Sequence, residues 1–124
     1  MTNKMAIQKI FKGSDLLFDV RLVDATGTPY RIKDTAGFSI KFYTSDPADY
    51  IECKYENGVY SGIIEGETID SMFVNSTDLE RLKEGLINYI YMLKVLNPVF
   101  SDGTYDETVT GQTNLYLKSN NNGI

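Results

Sequence analysis

Apolar side chains recur at every second position in this chain. Leu16, Phe18, Val20 and Leu22 share one side of residues 15–23, while Asp19 and Arg21 take the other. A period of two is that of a half-buried strand, because successive side chains point to opposite faces of a sheet. Residues 37–44 repeat the pattern, with Phe38, Ile40 and Phe42 on one side and Ser39, Lys41 and Tyr43 on the other. A chain written in this rhythm folds into sheets.

Turn signals divide the rest. Residues 5–12 read as a first strand at a sheet edge, ending at Lys12-Gly13. Asp24 to Pro29 reads as a turn, and Ser45-Asp46-Pro47 ends the strand over 37–44. Residues 50–56 and 59–64 flank Asn57-Gly58, the pair best suited to a two-residue hairpin because both central positions need positive φ. Residues 69–74 give a further short strand. Residues 86–96 and 107–118 form a long closing hairpin, with Val109, Leu115 and Leu117 on one face. One short crossover helix is expected at about 77–84: Thr77 to Glu80 fits a capping box with Thr77 as N-cap, Leu79 and Leu82 share a face, and Gly85 can stop the helix. Six to eight short strands with one helix argue for an all-β fold, an antiparallel immunoglobulin-like β-sandwich or a small barrel. Residues 1–118 make one domain, and 119–124 a polar tail.

Composition narrows the chemistry. A length of 124 residues suits a single core that needs no disulfide or metal staple. The net charge is −5, against the basic excess of nucleic-acid binders, so no nucleic-acid partner is expected. The chain holds no His and a single Cys, Cys53, which removes the Ser-His-Asp triad, the Cys-His pair and every His-containing zinc site. Cys53 reads as a buried strand thiol. No run approaches the ~20 apolar residues of a membrane span, and the N-terminal residues lack the apolar core of a signal peptide. The expectation is a protein made in a cytoplasm, with no membrane partner.

Carboxylates cluster at Asp46 and Asp49 and at Asp102, Asp106 and Glu107. Neither group has the spacing of a calcium loop, and both read as solvated turn carboxylates. No phosphate-binding glycine motif occurs; Gly58, Gly62 and Gly66 fall on a strand and its exit. The expectation is a protein that is not an enzyme, with no catalytic, cofactor-binding or metal residues and no cofactor.

Aromatic residues offer another role. Tyr43, Tyr60 and Tyr116 fall opposite the expected core, and Phe100 and Tyr105 flank the last turn. With Met5 and Ile7 on the first strand they form the candidate protein interface, because exposed aromatics anchor protein contacts and an apolar outer face is costly on a monomer. Strands 5–12 and 107–118 are both expected at sheet edges, where open backbone groups invite a partner strand. Residues 1–9 and 118–124 are expected to order only against a partner.

The succession Phe11-Lys12-Gly13-Ser14-Asp15, the strand 16–23, the turn Asp24 to Pro29 and the aromatic strand 37–44 resembles the N-terminal immunoglobulin-like domain of phage baseplate upper proteins. The Asn57-Gly58 hairpin and the strand after Gly85 continue that layout. The resemblance implies a non-catalytic virion scaffold held by protein contacts. A self-standing version of this length looks like a capsid decoration protein, the alternatives being a tail or baseplate adaptor and a cell-surface adhesin for carbohydrate or protein. The implied partners are capsid or tail subunits, or a second copy of the chain, and the implied location is the virion.

Overall fold

The computed structural model describes residues 7–23 and 26–119. Among these residues eleven strands run in chain order: β1 Gln8–Phe11, β2 Leu16–Val20, β3 Leu22–Val23, β4 Pro29–Tyr30, β5 Gly37–Tyr43, β6 Ile51–Glu56, β7 Val59–Ser61, β8 Ile63–Glu65, β9 Asp70–Val74, β10 Gly85–Leu96 and β11 Thr104–Lys118. The fold is all-β. A six-stranded sheet has the order β1-β11-β10-β5-β6-β7, a three-stranded sheet the order β2-β9-β8, and β3 and β4 form a separate two-stranded flap. Every pairing is antiparallel except β1 with β11, which is parallel.

The alternation in the sequence becomes the core. Phe38, Ile40 and Phe42 of β5 and Ile51, Cys53 and Tyr55 of β6 are buried beneath Ile63, Met72 and Val74 of the smaller sheet. Phe18 of β2 stacks on Phe42 of β5 with ring centroids 5.6 Å apart, which joins the two layers at their centre. Asn57 (φ 52°) and Gly58 (φ 81°) make the expected tight turn between β6 and β7. The strand expected over 59–64 is broken at Gly62: β7 stays in the large sheet and β8 enters the small one. A Cβ at Gly62 would stand 2.9 Å from the Cys53 sulfur, so the crossing runs directly over the buried thiol. The strand 15–23 is likewise split, with β3 leaving the small sheet to pair with β4. These splits raise the strand number above the expected six to eight.

Two further expectations are corrected. The crossover helix, α1, spans only Ser76–Leu79, with Asn75 rather than Thr77 at its N-cap. Its first N–H is held from outside, by the Asp15 carboxylate 2.7 Å from the Ser76 nitrogen, so the local capping box is not used. The chain continues as turns because Leu79 and Leu82, each 1% exposed, must both reach the core before Gly85 opens β10. Strand β11 is not an edge strand throughout: β1 covers it from Leu115 to Lys118, and among the described residues no strand pairs with that side of it before Leu115. Gln8 and Lys9 of the N-terminal stretch, and Lys118 of the C-terminal one, are ordered within the single chain by that pairing. The expected tail beyond Ser119 lies outside the described residues.

Ahead of β5 a one-turn 3-10 helix, Ile32–Asp34, is locked to the small sheet. Arg31 donates from Nε and Nη2 to the two oxygens of Asp70, at 3.1 and 2.6 Å, and the Ile32 N–H donates to the same carboxylate at 2.9 Å. Asp70 is 1% exposed. A buried carboxylate is tolerated only when its lone pairs are occupied, and here three donors occupy them. Arg31 also reaches the carbonyls of Gly66 and Glu67, which ties the loop before β9 to the same point.

Candidate interaction surface

The small sheet is narrower than the large one, and this asymmetry decides where the tyrosines go. Odd-numbered residues of β10 face the core side: Tyr89 opposes Phe42, Tyr91 opposes Ile40 and Leu93 opposes Phe38. The same side of β11 carries Tyr105, Glu107, Val109 and Gly111. Over β10 and β11 the roof is partial, and Tyr89 and Tyr91 are half-buried. Tyrosine suits such a place, since its ring is apolar and its hydroxyl stays hydrated or bonded. Tyr89 and Tyr91 run nearly parallel, 15° apart with centroids at 6.3 Å. Tyr89 lies across Gly111, where a Cβ would stand 2.5 Å from its hydroxyl oxygen.

At the end of this row stands a carboxylate between two phenols. The Tyr105 hydroxyl donates to Glu107 Oε2 at 3.0 Å and the Tyr91 hydroxyl to Oε1 at 3.5 Å. Burial, then the Glu107 charge, holds the Tyr91 phenol above its ordinary range; for Tyr105 the hydrogen bond to Glu107 is the main cause of the rise. Tyr30 and Pro29 of the flap, Asp34 of the 3-10 helix and Val95 of β10 complete a cleft of about 500 Å³ with Tyr105 and Glu107. The cleft opens beside the tip of the β10–β11 hairpin. There Leu96 is 76% and Val99 84% exposed, and Phe100 packs on Tyr105 with centroids at 5.8 Å.

The residues singled out in the sequence do not form one surface. Met5 lies outside the described residues. Ile7 is exposed at the entrance to β1. Phe100 and Tyr105 come together at the hairpin tip. Tyr43 and Tyr116 lie on the outer face of the large sheet, half-buried, among Lys41, Glu52, Lys54 and Lys94. That face mixes these charges with Leu86, Ile90 and Met92 and is not uniformly apolar. Tyr60 is corrected: it pairs with Tyr55 on the core side, with centroids at 4.7 Å, and its hydroxyl donates to Glu65 at 2.8 Å. Burial, and then that hydrogen bond, raises its pKa. The chain turns back on itself at Asn57-Gly58, so two residues that look out of phase in the sequence share a face.

Sequence reasoning missed Tyr30 in the cleft, took Glu107 there for a solvated turn carboxylate, and missed an apolar patch on the outer face of the small sheet. There Leu17, 69% exposed, opposes Phe73 across the β2–β9 pair, with Ile64 beside them. The signal for the patch was present, since Leu17 interrupts the alternation between Leu16 and Phe18. Asp46 and Asp102 accept from the Ala48 and Thr104 N–H groups of their own turns, at 2.9 and 3.1 Å. Among the described residues no group of three or more metal-ligating side chains assembles, and no helix is long and apolar enough to cross a membrane. No protein-family model, curated protein or solved structure matches the chain.

Proposed function

We propose that this protein is a non-enzymatic structural component of a phage virion, an auxiliary protein bound to the capsid by protein–protein contact. The observation that carries the docking role is the apolar tip of the β10–β11 hairpin. Leu96, Val99, Phe100 and Tyr105 are all exposed at one end of a rigid sheet. A hairpin tip that buries such side chains in a partner's pocket supplies the compact aromatic anchor on which protein interfaces depend. The strand order supports the immunoglobulin-like reading. With the first strand parallel to the last and three strands opposite, it matches a variable-type sandwich whose first strand has moved to the larger sheet. The virion assignment rests on the resemblance of residues 7–45 to the baseplate upper domains, and a tail or baseplate site would use the same tip.

The test is co-sedimentation of the purified chain with particles lacking it. Phe100→Ser and Val99→Ser should leave the thermal midpoint unchanged, since both side chains are exposed, and should abolish association. Retention of both variants on particles would remove the tip from the reading, and absence of the wild-type chain from native particles would end the virion assignment.

A second reading has its own observation. The cleft places Tyr30 and Tyr105 beside Glu107 and Asp34, the pairing of aromatic faces with carboxylate acceptors that a saccharide requires. Glycan-array binding lost in Glu107→Gln would favour an adhesin.

A further inference from the structure

The cleft beside the hairpin tip joins aromatic walls to uncompensated negative charge. Part of its lining comes from the core side of the large sheet, where Tyr105 sits opposite Val95 and Glu107 opposite Leu93. Tyr30 of the flap and Asp34 of the 3-10 helix add to it. None of the residues lining the cleft is a Lys or Arg. Among the described residues neither carboxylate is in an ion pair. Neutral donors hold both in place instead. Asp34 Oδ2 accepts the Arg31 backbone N–H at 3.1 Å, and the two Glu107 oxygens accept the Tyr105 and Tyr91 hydroxyls at 3.0 and 3.5 Å. A carboxylate offers about four acceptor positions, so the two phenols leave each Glu107 oxygen a second lone pair.

We propose that this cleft receives a guanidinium group, an arginine side chain of the protein on which the hairpin tip docks. The inference rests on the docking reading and names the chemistry of the partner. Covering Glu107 with a neutral group strips water from a charge and leaves that charge unpaired, whereas a cation offsets the cost. A saccharide would hydrogen-bond the carboxylates but leave both charges uncompensated. The guanidinium fork matches the two remaining lone pairs of one carboxylate, and its flat face stacks on aromatic rings such as those of Tyr30 and Tyr105. A lysine ammonium is a point charge with no fork and holds its water more tightly. Leu93 and Val95 offer the arginine methylenes apolar surface, as long charged side chains require. A volume of about 500 Å³ accommodates one such side chain. The position also fits the docking geometry. Phe100 belongs to the tip and packs on Tyr105 of the cleft, so a partner that covers one lies against the other.

The full chain is titrated with N-acetyl-arginine methylamide, N-acetyl-lysine methylamide and the neutral isostere N-acetyl-citrulline methylamide. Binding is read from the NMR methyl shifts of Val23 and Val95, which line the cleft. The expected result is saturable binding of the arginine compound, about tenfold weaker in Glu107→Gln, which loses a charge-assisted hydrogen bond. Asp34→Asn should weaken it as well, and its amide oxygen can keep the backbone contact that Asp34 makes. Glu52→Gln, on the outer face of the large sheet, should change nothing. Equal binding of the lysine or citrulline compound overturns the proposal. So does an arginine titration that leaves the methyls unmoved, or one indifferent to both Glu107→Gln and Asp34→Asn. A glycan that moves these methyls where the arginine compound does not overturns it in favour of the adhesin. On particles, Glu107→Gln should weaken co-sedimentation. Full retention of Glu107→Gln beside loss of Phe100→Ser overturns the arginine contact and leaves the docking tip standing. Retention of Phe100→Ser beside loss of Glu107→Gln overturns the tip and supports the arginine contact.

Discussion

Arg31 grips Asp70 through two hydrogen bonds, at 3.1 and 2.6 Å, across 39 positions of sequence. The contact joins the approach to β5 in the large sheet to β9 in the small one. It is the one ion pair among the described residues whose carboxylate is almost wholly buried. Burial on its own would raise the Asp70 pKa. The hydrogen bonds from Arg31 and the Ile32 N–H, with the Arg31 charge, outweigh it and leave the carboxyl below its ordinary value.

Acid sensitivity follows from that lowering. A carboxyl whose folded pKa lies below its unfolded value of about 3.8 adds stability above that value and loses it as pH falls through the folded pKa. Urea midpoints should therefore drop below about pH 4. In Asp70→Asn this acid-dependent loss should be smaller, and stability at neutral pH should fall by about 3 kcal/mol, because Arg31 is left without its charged partner. An unchanged midpoint at pH 7 would show that the pair adds no net stability.

Cys53 should be silent to thiol reagents in the folded protein. Burial, aided by the nearby charges of Glu52 and Asp78, pushes its pKa up to about 11 from 9.0, and the Gly62 crossing covers the sulfur. The folded state favours the neutral thiol, so its contribution to stability holds below pH 9 and declines as pH rises toward 11. Labelling kinetics should follow global unfolding, and rapid native-state labelling would contradict the burial.

Gly111 and Tyr89 should prove coupled. Gly111→Ala forces the ring off the strand and should cost about 1–2 kcal/mol, the usual range for an overpacked contact. Adding Tyr89→Ala should recover part of the loss, and a double-mutant cycle measures the recovery. Strict additivity would mean that the ring moves aside at no cost.

The two phenols on Glu107 give a spectroscopic handle on the cleft. Both Tyr91 and Tyr105 are raised above 10.0, Tyr91 by burial and then Glu107, Tyr105 by Glu107. Glu107→Gln should bring their phenolate transitions down, Tyr105 more completely because its rise depends chiefly on that carboxylate. A titration indistinguishable from wild type would place Glu107 away from both hydroxyls in solution.

Much of this architecture was legible in the residues, and the limit of legibility has a physical cause. Strand character is local. Alternation at 15–23 and 37–44, the Asn57-Gly58 turn, the buried pair Leu79 and Leu82 and the closing hairpin all rest on contacts or dihedral preferences within a few positions, and the all-β class came from them. The choice of sheet is not local. The breaks at Arg21 and Gly62 answer to where the other layer lies, and the parallel union of β1 with β11 joins residues about a hundred positions apart. Side-chain parity told which residues share a face, but whether that face is roofed depends on the width of a sheet built elsewhere in the chain. That is why Tyr89 and Tyr91 stand at a half-open margin, while Tyr60 faces inward because the Asn57-Gly58 turn sets it opposite Tyr55, and Asp70 found its arginine 39 positions away only when the two layers packed.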